Sequence, residues 1–456
     1  MRFAITLAFS TLLASAQVVV FENVNVVPMD RNRVLQRQDV VVRDGRIAFL
    51  GPAGKASAPT GATRIEATGK YLMPGLAEMH GHLPLPNSSQ ELVEHILFLY
   101  VANGVTTVRG MLGYPSALEH KAAIAAGRLL GPRLYVAGPG LSGNAVKTVE
   151  QGVQVVREQK QAGYDLLKIQ EGLAPNVYEA IAKTAKEVRI DFAGHVPNDV
   201  GVRKAIAAGQ RSVDHLDNYL EALEADNSPV RNADAATKAR ELPFHVDERK
   251  MGELAQVTRK AGAWNMPTMA LWEFFLNDAT GDELRKSLPE LRYMPRSTVD
   301  QWTQRKNAMV AQSHVFMGFH VGGKTGARVI ELRKKMLKAL RDAGALIALG
   351  TDSPQVFSVP GFSLHREMKA MLEAGFTPYE VLESGTSKVA EYFGTQQESG
   401  TVEAGKVAGL ILLDANPLSD LANVARRAGV MIKGRWIPEQ EIQQRLEKLA
   451  AAAEKM

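Results

Sequence analysis

The sequence predicts an α/β protein: a (β/α)8 TIM barrel with a small β-sandwich domain built from both termini. Three observations lead there. Eight short apolar runs alternate with stretches of Ala, Glu, Lys and Leu at helical spacing, the rhythm of parallel strands and crossover helices. Residues able to ligate a metal stand at the ends of several of these runs. Val- and Ile-rich segments with hairpin signals crowd the two ends of the chain. A chain of 456 residues is long enough for a large barrel plus a satellite domain.

Residues 1–16 read as an export signal. Met1-Arg2 gives a basic start, Phe3 to Leu13 is mostly apolar, and Ala14-Ser15-Ala16 is a small-x-small cleavage site before Gln17. The expected location is therefore periplasmic or extracellular. The chain has no cysteine, so its stability rests on a large core and not on disulfides. Residues 17–72 read as β structure, because VVVFENVNVV, DVVVRDGRIAFLG and TRIEATGKYL are rich in Val and Ile and Asp44-Gly45 is a hairpin turn.

Residues 73–396 carry most of the barrel. Its strands are YLMPGLAEM, VTTVRGM, RLYVAG, DLLKIQ, IDFAGHV, SVDHLD, AWNMPTM and LIALGTD. Helical stretches such as 90–103, 116–126, 149–162, 176–187 and 199–208 separate them. An insertion at about 271–330 is longer than an ordinary βα connection and holds Trp272, Phe274, Phe275, Tyr293, Trp302, Phe316 and Phe319. Placed over the catalytic mouth, it is expected to bury most of these aromatics in a small core of its own, the rest lining a pocket. Residues 397–437 return to β texture in GTVEAGKVAGLILLD and GVMIKGRWI, completing the sandwich, and 438–456 form an Ala/Glu/Lys/Gln-rich helix.

Charge excludes one class of partner. Lys and Arg number 54 against 49 Asp and Glu, with no long basic run and no aromatic–basic interleaving, so nucleic acid is not an expected partner. No run beyond the N-terminus approaches the length of a bilayer span, so no stable membrane insertion is expected. A homo-oligomer is compatible with the sequence.

Six residues carry the chemistry: His80 and His82 in MPGLAEMHGH, Lys168 in YDLLKIQ, His195 in IDFAGHV, His215 in SVDHLD and Asp352 in LIALGTDS. Catalytic residues of a (β/α)8 barrel sit at the C-terminal ends of its strands, which is where each of these stands. Residues i and i+2 of a strand share a face, so His80 and His82 aim at one point. Each histidine alone has an ordinary structural reading. As a set, the imidazoles and the carboxylate suit a borderline divalent metal, zinc first, with manganese, cobalt or nickel also accepted.

With these residues named, the chain resembles the amidohydrolase superfamily, metal-dependent hydrolases on a (β/α)8 barrel with a terminal β-sandwich. The matching motifs are Pro74-Gly75 before His80-Gly81-His82; Gly104-Val105-Thr106-Thr107-Val108-Arg109; Gly131-Pro132-Arg133; Lys168, His195 and His215; and Gly350-Thr351-Asp352. Gly405-Lys406, Asn416-Pro417-Leu418 and Gly434-Arg435 extend the match to the end of the sandwich. Within the superfamily the pattern is similar to binuclear members with a carboxylated lysine, prolidase-like and imidazolonepropionase-related.

The resemblance implies two divalent metal ions. His80, His82 and Asp352 would hold one, His195 and His215 the other, and Lys168 would bridge them as its CO2-derived carbamate. Electrostatics agrees, because an ammonium between two cations is repelled whereas a carbamate is anionic. The implied reaction is hydrolysis of an amide C–N bond in a small-molecule substrate such as an N-acyl amino acid or dipeptide. A metal-bridging hydroxide would attack, with Asp352 as proton shuttle. Arg109, at the end of the second strand, is expected to receive a substrate carboxylate, and Tyr219 to set a hydroxyl near the substrate. Gly409 stands where many members have an acidic residue. Ester, lactone or organophosphate hydrolysis on the same metals is the alternative reading; a mononuclear deaminase would leave Lys168 idle, and a non-catalytic exported metal-binding protein would need a closed structural site.

Overall fold

The computed structural model describes residues 18–312 and 314–456, and the expected export signal at 1–16 lies outside them. The chain opens with β1 (Val18–Val26), β2 (Leu35–Arg43), β3 (Arg46–Pro52), β4 (Thr63–Glu66) and β5 (Tyr71–Pro74). Asp44 and Gly45, at φ 52° and 74°, make the tight turn between β2 and β3. The eight predicted barrel runs follow in part as β6 (Leu76–Gly81), β7 (Val105–Gly110), β8 (Arg133–Val136), β9 (Leu166–Ile169), β10 (Asp191–Gly194), β11 (Ser212–Asp214) and β12 (Trp264–Met266). A two-stranded hairpin, β13 (Val315–Phe316) and β14 (Phe319–His320), interrupts the insertion before β15 (Leu346–Ile347) supplies the eighth run. β16 (Leu410–Leu413), β17 (Arg427–Ile432) and β18 (Arg435–Pro438) return to the terminal domain, and a helix, Glu439–Ala453, ends the chain.

The strands of both termini form one eight-stranded sheet, in the order β18-β17-β16-β5-β1-β2-β3 with β4 also on β1. The two separate sheets of the expected sandwich are thus joined. The reason lies in β1: β2 pairs along one edge from Val18 to Val26, with register shifts after Phe21 and Val24, while the other edge takes β4 at Val19–Glu22 and β5 at Asn25–Val26. The sheet still closes on a core. Val19, Phe21, Val40, Leu72, Leu410 and Met431, from strands far apart along the path, share one buried cluster, and Ile47 N donates to Lys406 O at 2.8 Å across the fold.

The run YLMPGLAEM is two strands, not one. Pro74 still pairs with Leu410 of the terminal sheet, whereas Leu76 N donates to Gly104 O at 2.9 Å and begins the parallel part. The chain changes sheets at Gly75, where a Cβ would stand 2.3 Å from Thr106 Oγ1, so glycine is required.

Parallel pairing gives a three-stranded ladder, β6-β7-β8, and a five-stranded one, β15-β12-β11-β10-β9. Isolated parallel bridges Ala137–Leu166 and Leu141–Ile169 link β8 to β9, and Gly81–Ser353 links β6 to the segment beyond β15. Met79 N to Leu349 O (2.9 Å) and His82 N to Ser353 O (2.7 Å) add to the second seam. The ladder is interrupted at the first seam where Gly138-Pro139-Gly140 follows β8, since proline offers no ladder donor. Helices cover the ladders through one apolar face: Pro175–Val188 buries Val177, Tyr178, Ile181, Ala182 and Ala185. Most insertion aromatics are packed inward, with Trp272, Phe274, Phe275, Tyr293 and Phe319 buried and Phe275 stacked on Phe316 at 3.6 Å between centroids. Among the described residues no helix is long and apolar enough to cross a membrane.

Candidate metal centre

The ends of β6, β9, β10 and β11 and the loop after β15 bring the six predicted ligands into one chain of neighbours. The rings of His80 and His215 lie 4.4 Å apart between centroids, His195 and His215 4.7 Å, and His80 and His82 5.8 Å. Asp352 Oδ1 is 2.5 Å from His82 Nε2 and 3.4 Å from His80 Nε2. Lys168 Nζ is 3.3 Å from His80 Nε2. Donor atoms of His80, His215 and Asp352 all lie within 4.8 Å of one another, so residues of the two expected half-sites adjoin in one cluster.

Three of the four imidazoles, those of His80, His195 and His215, have a polar group behind Nδ1. His80 Nδ1 lies 2.7 Å from Asp214 Oδ2, an ion-pair contact without hydrogen-bond alignment, and His195 Nδ1 is hydrogen-bonded to Asp217 Oδ2 at 2.7 Å. Beside a carboxylate Nδ1 carries the proton, which leaves the Nε2 lone pair free. His215 Nδ1 is 2.9 Å from Thr268 Oγ1, and Trp272 Nε1 donates to His215 O at 3.1 Å. Asp214 is itself held by Arg109 Nη2 at 2.9 Å and Ser212 Oγ at 2.7 Å. Burial alone would raise the Asp214 carboxyl, but Arg109 and Lys168 outweigh it and hold it below its usual range.

Burial, reinforced by neighbouring cationic groups, drives His80 and His215 well below the ordinary histidine range, so both rings are neutral and able to ligate. Burial also lowers the proton affinity of Lys168, against the pull of Asp214 and Asp352. His215 Nε2 is buried and has no hydrogen-bond partner among the described residues. A buried imidazole nitrogen left unsatisfied costs free energy unless something coordinates it. The donor set of four imidazoles, a carboxylate and a lysine whose charged form is disfavoured by burial therefore fits a borderline divalent metal. A second constellation, Glu171, His195 and Asp217, adjoins the first.

The backbone is strained where the ligands converge. His215, Leu216 and Asn218 (φ 61°, 51° and 61°), Thr268 (47°) and Asp352 (64°) all occupy the left-handed region without being glycine. Each such residue costs about 1–3 kcal/mol, and such clusters mark sites whose geometry is imposed by function.

Arg109 and Tyr219, expected to meet substrate, are both fully buried. Arg109 donates to Met79 O, Ser212 Oγ, Tyr392 OH and Asp214, so its guanidinium serves the carboxylate behind His80. The Tyr219 hydroxyl lies 3.0 Å from Thr258 Oγ1 and donates to Asn265 Oδ1 at 2.8 Å. Both corrections share one cause: each side chain points into the packed interior, where a polar tip must find a protein partner.

Several residues escaped the sequence reading. Asp214 and Asp217 flank His215 in SVDHLD, and carboxylates beside a ligand histidine were the available signal. Glu78, two residues before His80, accepts from His80 N (3.0 Å), Thr351 N (2.8 Å) and Thr351 Oγ1 (2.5 Å), tying β6 to the Asp352 loop. Arg333, buried with its guanidinium carbon 3.4 Å from the Trp272 ring centroid, left no local trace.

Residues 71–437 match the Amidohydrolase family. The chain is 26% identical over 419 residues to Ochratoxinase of Aspergillus niger, covering 85% of this chain and 79% of that protein. It is 25% identical over 414 residues to Imidazolonepropionase of Agrobacterium fabrum, covering 86% and 88% respectively. Among solved structures, a putative prolidase from Bifidobacterium longum has a TM-score of 0.65 at 23% identity, covering 96% of this chain and 99% of that one.

Proposed function

Since the chain belongs to the amidohydrolase family, and is thereby a hydrolase, we propose that it cleaves amide C–N bonds of small molecules such as N-acyl amino acids or dipeptides. The observation that carries this reading is the clustering of His82, His215, Asp352 and Lys168 about His80, with His195 against His215, whose buried Nε2 has no hydrogen-bond partner among the described residues. In this reading the two parallel ladders are staves of one (β/α)8 barrel, joined at the seams by isolated bridges.

His80, His82 and Asp352 would hold one divalent ion and His195 and His215 a second, zinc being the best fit, with Lys168 between them as its carbamate. When bound, such ions supply Lewis acidity, lowering the proton affinity of water and polarising a carbonyl. The chain's own residues do the rest. Asp214 and Asp217 keep the His80 and His195 protons on Nδ1 and so hold both Nε2 atoms as donors. Asp352 takes a proton from the attacking water as its oxygen bonds to the carbonyl carbon. It returns that proton to the nitrogen as the C–N bond breaks, giving a carboxylic acid and an amine. Lys168, its proton affinity lowered by burial, offers a neutral Nζ to CO2; the N–C bond forms and the displaced proton leaves to solvent.

The test is metal analysis of the purified protein followed by a turnover panel of N-acyl amino acids, dipeptides and aryl esters. Amide turnover that chelation abolishes and zinc restores is expected. Turnover confined to esters would move the leaving atom to oxygen, and protein that neither binds metal nor hydrolyses any of the panel would overturn the reading. Export is proposed on the composition of residues 1–16 alone; N-terminal sequencing of the secreted protein should begin at Gln17.

A further inference from the structure

We propose that the cavity between the terminal sheet and the N-terminal ends of β6, β7 and β8 is a second binding site, for a small amphipathic carboxylate. It lies at the opposite end of β6 from His80 and His82: Gly75, Thr106 and Arg133 line it at the starts of β6, β7 and β8. Its volume is about 460 Å³, within the span of small-molecule pockets.

Charge identifies the occupant. Lys121, Arg133 and Lys433 line the cavity, and no acidic residue does. Lys121 is neutralised by Asp165, with contacts of 2.6 and 2.7 Å. Arg133 has Glu398 at 3.8 Å, and both side chains are about half exposed, so that pair is weak. Lys433 donates only to the carbonyl of Ile124, and among the described residues no carboxylate pairs with it. Partial burial lowers its proton affinity, the expected result for a cation lacking a counter-ion. The uncompensated charge is thus close to that of one monoanion.

The walls identify the rest of the ligand. Leu134, Val389 and the stacked pair Tyr135–Phe393, 3.5 Å between centroids, give an apolar floor on which a hydrocarbon body can lie. Gly75 and Gly409 flank Thr106, and a Cβ at Gly409 would stand 3.1 Å from Thr106 Oγ1, so the absence of a side chain there keeps the space open. A carboxylate head at Lys433 and Arg133 with an apolar tail on this floor satisfies both halves of the lining.

Isothermal titration of the metal-loaded full chain with octanoate tests this, with octanol and octylammonium as neutral and cationic controls. Octanoate is expected to bind at one saturable site, and both controls far more weakly. Lys433→Met, at an exposed hairpin position, should weaken octanoate about tenfold by removing a charge-assisted hydrogen bond, and Lys433→Arg should restore most of it. Octanoate that fails to saturate, that binds Lys433→Met as tightly as the parent, or that octanol matches would each overturn the proposal. A binding signal abolished by chelation but untouched by Lys433→Met would place the ligand at the metal centre and overturn it equally.

Discussion

Arg109 and Asp214 form a buried ion pair behind His80, and breaking it from either side has a calculable consequence. The Arg109 guanidinium donates to Met79 O (2.5 Å), Ser212 Oγ (3.0 Å), Tyr392 OH (2.8 Å) and Asp214 Oδ2 (2.9 Å), and neither side chain of the pair is exposed. Arg109→Met removes all four bonds and strands the Asp214 anion, a loss of about 3–5 kcal/mol. An unfolding entropy of about 2.1 cal/mol/K per residue over 456 residues makes each degree worth about 1 kcal/mol, so the melting temperature should fall by about 3–5 °C. Asp214→Asn in that background removes the stranded charge. The double variant should therefore be more stable than additivity allows, by about 1–3 kcal/mol. The assay is urea unfolding of all four proteins under chelation, so that metal binding does not contribute. Zinc affinity is the second readout and should drop about 10–100-fold in Asp214→Asn, through loss of the partner that orients His80. Additive stabilities within about 0.5 kcal/mol, with unchanged zinc affinity, would refute the coupling of this pair to His80.

The other predictions can be checked independently. Lys168→Ala should lose most of the second equivalent of metal and nearly all turnover; full activity in that variant would reject Lys168 as the bridge. Asp352→Asn should keep substantial metal while turnover falls about 10²–10⁴-fold, and wild-type rates would remove Asp352 as the proton carrier. Glu367 is buried, accepts from Ala270 N at 2.7 Å, and has its carboxyl pushed up to about 8 by burial. It binds a proton in the folded chain that the unfolded chain releases above its ordinary value of 4.5, so stability is lost as pH rises from there through about 8. Glu367→Gln should flatten that loss; urea midpoints compared at about pH 5 and about pH 9 should fall further for the parent, and equal falls would show that Glu367 titrates normally.

What the sequence made legible follows from how locally each feature is encoded. His80-Gly81-His82 could be read because strand alternation is a two-residue rule, and the rings do face the same carboxylate, Asp352. The eight strand positions were readable for the same reason, since an apolar run of four to eight residues between helical stretches has few other uses. The break within YLMPGLAEM was not, because it depends on Thr106, a residue of the next strand, crowding Gly75. The joined terminal sheet escaped as well: β4 and β5 take successive stretches of one edge of β1 while β2 takes the other, and nothing in VVVFENVNVV announces it.

Arg109 shows the limit most clearly. Sequence places it at the end of the second strand, where a cation facing solvent would suit a substrate carboxylate. The alternation of β7 instead turns it inward, toward Asp214 of β11, a partner 105 positions away. Its charge is used on the protein's own carboxylate, which in turn sets the proton on His80. The proposed ligands are thus written into local pattern, while the groups packed behind them arise only when distant strands meet. A substitution survey of this protein should accordingly find that Asp214 and Asp217, unread in the sequence, and Arg109, read there as a substrate contact, tolerate change little better than the histidines they support.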